Sequence, residues 1–161
     1  MKTLSSLIAL GLIGSGLCVM AGNTAQQTVS FEVQAINEIS VSGNPGALVI
    51  STATAGNAPD GVQDSSTSYA ITSNESDRKI TAQIDTAMAA GTTLKVNLAA
   101  PTGATSAGDV VLGTSASDVV CGISTLNESG KSITYKFNAT SAAGVVSSDS
   151  KTVTFTVTAG S

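Results

Sequence analysis

Residues 28–42 (TVSFEVQAINEISVS) alternate apolar and polar side chains almost without error. Val29, Phe31, Val33, Ala35, Ile39 and Val41 share one parity, broken only by Asn37. Thr28, Ser30, Glu32, Gln34, Glu38, Ser40 and Ser42 share the other, broken only by Ile36. Successive side chains of a strand point to opposite faces, so the pattern predicts one apolar and one wet face. The run also exceeds by far the usual strand of roughly five or six residues. A segment of that length either bends and crosses between two sheets or reaches beyond its own domain.

Shorter patterns follow. Gly43-Asn44-Pro45-Gly46 is a turn signal. Residues 47–52 (ALVIST) form an apolar run that predicts a short strand buried on both faces, and 53–66 read as a polar loop. Strands at 67–73 and 78–86 make a hairpin about Asn74-Glu75-Ser76-Asp77, with Tyr69, Ile71, Ile80, Ala82 and Ile84 inward. Residues 87–93 allow one helical turn before Gly91 stops it. Leu94, Val96 and Leu98 mark a strand ended by Pro101, and 110–112 mark a short one. Val119, Cys121 and Ile123 alternate inward, with Cys121 expected as a small buried hydrophobe. Residues 127–131 (NESGK) read as a second tight turn. Ile133, Tyr135, Phe137 and Ala139 then share one face, and Val153, Phe155 and Val157 share one face of a final strand at 151–159. Eight or nine short strands without a helix predict an all-β chain, an antiparallel β-sandwich with Greek-key connections; a closed barrel is the alternative.

The opening changes the count of residues available to that domain. Met1-Lys2, an apolar run to Met20 and Val19-Met20-Ala21 read as a secretory signal peptide, 1–21, cleaved after Ala21 or else after Ala25. That leaves 22–161 as one β-sandwich domain; a retained anchor is the alternative, although the run is short and Gly-rich for a membrane span. Leu17 stands where a lipoprotein signal at Cys18 needs a small residue. The secreted chain has Cys121 alone, so an internal disulfide cannot stabilise it.

Charge and composition exclude several partners. Without Lys2 the chain has six basic and eleven acidic residues. Few aromatics (3%) and no basic stripe argue against nucleic acid and anionic membranes. An apolar fraction of 42% with regular alternation favours a packed core of Val, Ile, Leu and Ala over disorder.

Catalytic chemistry is hard to build from these residues. The chain has no histidine, which removes His-based triads and imidazole metal ligands. Glu32 and Glu38 lie six residues apart on one strand parity, roughly 20 Å, too far for a hydrolytic carboxylate pair. Asn57, Asp60 and Asp64, and separately Asn74, Glu75 and Asp77, are acidic loops without EF-hand spacing, better read as polar turns than as calcium sites. Asn74, Asn127 and Asn138 each open an N-x-Ser/Thr triplet. The expectation is therefore a non-enzymatic protein with no cofactor and no metal.

The stretches TVSFEVQAINEISV, YAITSNESDRKITAQI and VTFTVTAGS, in that order behind a signal peptide, resemble the major pilins of the colonisation-factor type, the alpha clade of chaperone–usher fimbriae. The resemblance covers the mature chain in pattern and spacing. It implies an incomplete immunoglobulin-like sandwich whose missing strand is supplied by the next subunit. Val29, Phe31, Val33 and Ala35, within a candidate donor segment 22–37, would be the anchors, with Asn37 at the junction. Val153, Phe155 and Val157 would line the acceptor groove. Where the family has a proline between donor and first strand, this chain has Ala35-Ile36-Asn37. The resulting expectation is a secreted structural or adhesive surface subunit, partnered by itself head to tail or by other surface proteins. The alternative is a monomeric extracellular binding module for glycan or protein ligands, working through loops such as 53–66.

Overall fold

The computed structural model describes residues 23–160; the expected leader, 1–21, lies outside them. The chain divides into two units, one ending at Val33 and one beginning at Gln34. In the first, the described residues 24–33 belong to no strand, and Val29, Phe31 and Val33 are 71%, 92% and 80% exposed.

The second unit is built from nine strands. They are β1 (Asn37–Val41), β2 (Val62–Ser73), β3 (Arg78–Ile84), β4 (Thr92–Leu98), β5 (Thr105–Ser106), β6 (Val110–Val111), β7 (Ser117–Ile123), β8 (Leu126–Ala139) and β9 (Val153–Ala159). One sheet has the order β1-β2-β8-β4-β6, the other β5-β7-β3-β9. Every pairing is antiparallel. The all-β sandwich expected from the strand cadence is therefore the fold.

The core follows from the period-two alternation. Tyr69 and Ile71 from β2, Ile80, Ala82 and Ile84 from β3, Val96 and Leu98 from β4, and Ile133 from β8 are all at most 2% exposed. At roughly 1.5–3 kcal/mol per large side chain, this burial dominates the stabilisation of a domain with no disulfide among the described residues. The Tyr69 hydroxyl donates to the carbonyl of Ala99 at 2.6 Å, which satisfies its one polar atom in the core. Burial pushes the phenol pKa of Tyr69, and of Tyr135, up to about 12.

The structure departs from the sequence pattern at five places. The long alternating segment is a strand only from Asn37 onward, where β1 pairs with β2. Residues 47–52 form no strand: they join no ladder, the Thr52 carbonyl accepts from Asp60 N–H at 2.9 Å in the turn that follows, and Val49 is 66% exposed rather than buried on both faces. β2 begins at Val62, inside the stretch read as loop, and only a short turn bridged at Ala53 and Pro59 precedes it. Residues 87–93 make a tight turn, with Thr92 N–H bonded to the Ala89 carbonyl at 3.0 Å, and no helix.

The fifth departure concerns NESGK and Cys121, and both have the same cause. β8 runs unbroken through 127–131, because Gly130 (φ 69°) takes up an irregularity opposite Ala70 instead of reversing the chain. The chain changes sheets earlier, between Ile123 and Leu126. In β7 the register with β3 shifts twice, once near Gly122 (φ 72°) and once at Val119. The shifts turn both Val119 and Val120 inward and Cys121 outward, so the thiol is exposed.

Candidate functional site

Three of the four sheet edges are β1, β5 and β6; the fourth is β9, which pairs with β3 on one side and, among the described residues, with no strand on the other. Beside β9 lies a groove of about 1160 Å³. Leu94, Ile133, Tyr135 and Phe137 reach it from the first sheet, and Val153 and Phe155 from β9. Its flanks are two segments without regular structure, 43–53 and 144–152. They bring Val49, Val145 and Val146, and the end of β1 brings Val41; these four are the exposed large apolar side chains of the groove margin. Small-molecule sites measure about 300–1,000 Å³ and enclose their ligand with convergent polar groups. This groove is larger, with an apolar floor and flanks that also carry Ser, Thr and Lys151, and it runs beside an unpaired strand edge.

The groove occupies one end of the second unit, where β1 and β8 finish and β4 and β9 begin. The opposite end is shut. There Gly160 N–H donates to the Asp77 carbonyl at 2.7 Å, and Arg78 pairs with Ala159 in the β3–β9 ladder. Val157 lies toward this end; it is half-buried against the core and outside the groove lining.

The chain enters the second unit at the shut end, and polar side chains hold it there. Asn37 accepts a hydrogen bond from the buried Ser73 hydroxyl at 2.8 Å and donates its amide to Glu75, which also pairs with Arg78. These contacts, Asn37 first, hold the Glu75 carboxyl below its usual range. The one polar residue on the apolar parity of 28–42 is thus an inward group with its partners built around it. One step earlier, Asn74 bonds to Gln34 and Ile36 through both its side chain and its backbone. Of the four proposed anchors, Val29, Phe31 and Val33 fall in the first unit, whereas Ala35 lies inside this fastened stretch.

The acidic loops are occupied by protein contacts. Asp64 accepts from the hydroxyl and N–H of Ser66, which hold its carboxyl low. Among the described residues no three acidic, Cys or His side chains gather to hold a metal. Tyr69 and Tyr135, inward as expected, offer no platform for a sugar ring. No family model matches this chain, and no curated protein matches its sequence.

Of Val153, Phe155 and Val157, expected from the sequence along an acceptor groove, Val153 and Phe155 line this groove and Val157 does not. The sequence did not mark 43–53 and 144–152 as flanks, because an unpaired backbone leaves no periodic signature. The exposed valines within them were the available signal.

Proposed function

We propose that this protein is a secreted structural subunit of a surface fibre, an immunoglobulin-like sandwich short of one strand that polymerises by lending its N-terminal segment to the next copy. The observation that carries this reading is the apolar groove beside the unpaired edge of β9, at the end of the sandwich opposite the point where the chain enters it. The occupant is residues 28–33 of a second copy. Their alternation offers Val29, Phe31 and Val33 on one face, and these side chains are exposed in the chain by itself.

Burying each such side chain contributes roughly 1.5–3 kcal/mol, and a strand laid on β9 adds ladder hydrogen bonds to that. Entry and groove at opposite ends make the contact heterologous, so repetition gives an open filament and not a closed ring.

The test is a comparison of the mature chain with its Phe31→Asp variant by size-exclusion chromatography and negative-stain microscopy. Phe31 is 92% exposed, so the change leaves the sandwich intact while placing a charge on the central anchor. Filaments from the wild type and folded monomers from the variant are expected. Identical assembly states for the two proteins would sink the proposal.

A further inference from the structure

Asn74 directs three hydrogen bonds at one short piece of backbone. Its Oδ1 accepts from Ile36 N–H at 2.7 Å, its Nδ2 donates to the Gln34 carbonyl at 2.7 Å, and its own N–H donates to the Ile36 carbonyl at 3.1 Å. A primary amide carries the donor and the acceptor of a peptide group on one side chain. Asn74 therefore extends the β1–β2 ladder beyond its last backbone pair, Asn37 with Ser73, although β2 has already turned away toward β3. Ionised Asp only accepts, Ser carries its donor and acceptor on a single oxygen and cannot span Ile36 N–H and the Gln34 carbonyl as two separate atoms do, and Gln is one methylene too long to present both from the same backbone position.

We propose that Asn74 is a positioning residue that sets where the exchanged strand ends and the home sandwich begins. Gln34 onward is fastened by Asn74 and, one residue after Ile36, by Asn37 through Ser73 and Glu75. Everything up to Val33 is left for the neighbour. The assignment rests on the strand-exchange reading and sharpens it: three anchors are exported, Ala35 stays home, and no loose residue separates the last anchor from the first fastened one. Such a junction fixes the axial step and restricts the bend between successive subunits. Releasing 34–36 would add up to roughly 10 Å of slack at about 3.3 Å per residue.

The test uses the mature chain with Asn74→Ala and Asn74→Asp. Hydrogen exchange on monomers and bend-angle and repeat measurements on filaments are the readouts. In Asn74→Ala the Ile36 amide should exchange about tenfold faster, the scale of one lost hydrogen bond. Its filaments should show a longer or more variable repeat and a wider spread of bend angles. Asn74→Asp keeps the acceptor for Ile36 N–H and sets a carboxylate against the Gln34 carbonyl, so Ile36 should stay protected while the junction loosens partly; this variant carries the test if the alanine variant fails to fold. Unchanged exchange at Ile36, or released exchange with an unchanged junction, overturns the assignment while leaving strand exchange standing. A wild-type chain that forms no filaments overturns the strand-exchange reading instead, and the assignment with it.

Discussion

The hydroxyl of Ser73, at the end of β2, donates to Oδ1 of Asn37, at the start of β1, at 2.8 Å, and Ser73 is 3% exposed. This contact explains a polar residue on the apolar parity of an amphipathic strand. Asn37→Ala is expected to cost about 1–2 kcal/mol in urea denaturation, because the buried Ser73 hydroxyl loses an acceptor. Asn37→Val restores the apolar pattern and should nevertheless also destabilise. A valine variant as stable as wild type would show that the pattern matters here and the network does not.

A strand supplied from outside should stabilise the sandwich. Under the proposed strand exchange, the full mature chain carrying Phe31→Asp cannot lend its own anchor and its groove is left free. Adding a peptide of residues 24–35 should raise its melting temperature, by an increment equivalent to about 2.7 kcal/mol at a hundredfold excess over Kd. Amides of β9 and of 45–51 should gain protection from exchange. The same peptide with Phe31→Asp should do neither, and equal effects from both peptides would count against a side-chain-specific groove.

Glu128 should hold its charge deep into acid and carry part of the acid sensitivity. Its carboxylate takes the Lys131 ammonium at 2.5 Å and the Thr102 N–H at 2.9 Å, and these bonds, Lys131 first, lower its pKa from 4.5 to about 2. The folded value lies below the unfolded one, so the stabilisation is full above about 4.5 and is lost as pH falls through about 2. In urea midpoints measured across that window, Glu128→Gln should show a shallower fall than wild type. Because the pair is solvent-facing, added salt should narrow the difference. Parallel curves for the two proteins would contradict this account.

Cys121 should react with a thiol reagent in the folded protein, to completion and without denaturant. It faces outward from β7 opposite Thr105 of the two-residue strand β5. A requirement for unfolding before labelling would place the thiol back in the core.

Where periodicity and pairing agree, the sequence was sufficient. Tyr69, Ile71, Ile80, Ala82, Ile84, Val96 and Leu98 alternate in the chain and are buried as that alternation requires. The failures come from facts that are not periodic. Residues 47–52 have a strand's composition but join no ladder, and composition does not report whether a partner is present. Gly130 reads as a turn residue and serves as one irregular step within β8, since φ > 0 suits either role. Cys121 was misplaced by one parity because bulges in β7 reset the count. At the candidate site the alternation of Val29, Phe31 and Val33, exposed in the structure, and the inward parity of Phe155 could be read from the sequence. Asn74 could not, because its role depends on atoms forty residues away in the chain.

Two of the four sheet edges, β5 and β6, are only two residues long. An edge that short gives another chain almost no row of backbone groups to copy, so sideways accretion into broad, amyloid-like sheets is suppressed. The seven-residue edge of β9 is the longest left unpaired. Growth of any assembly is thereby channelled along one line, and a rod is favoured over a ribbon.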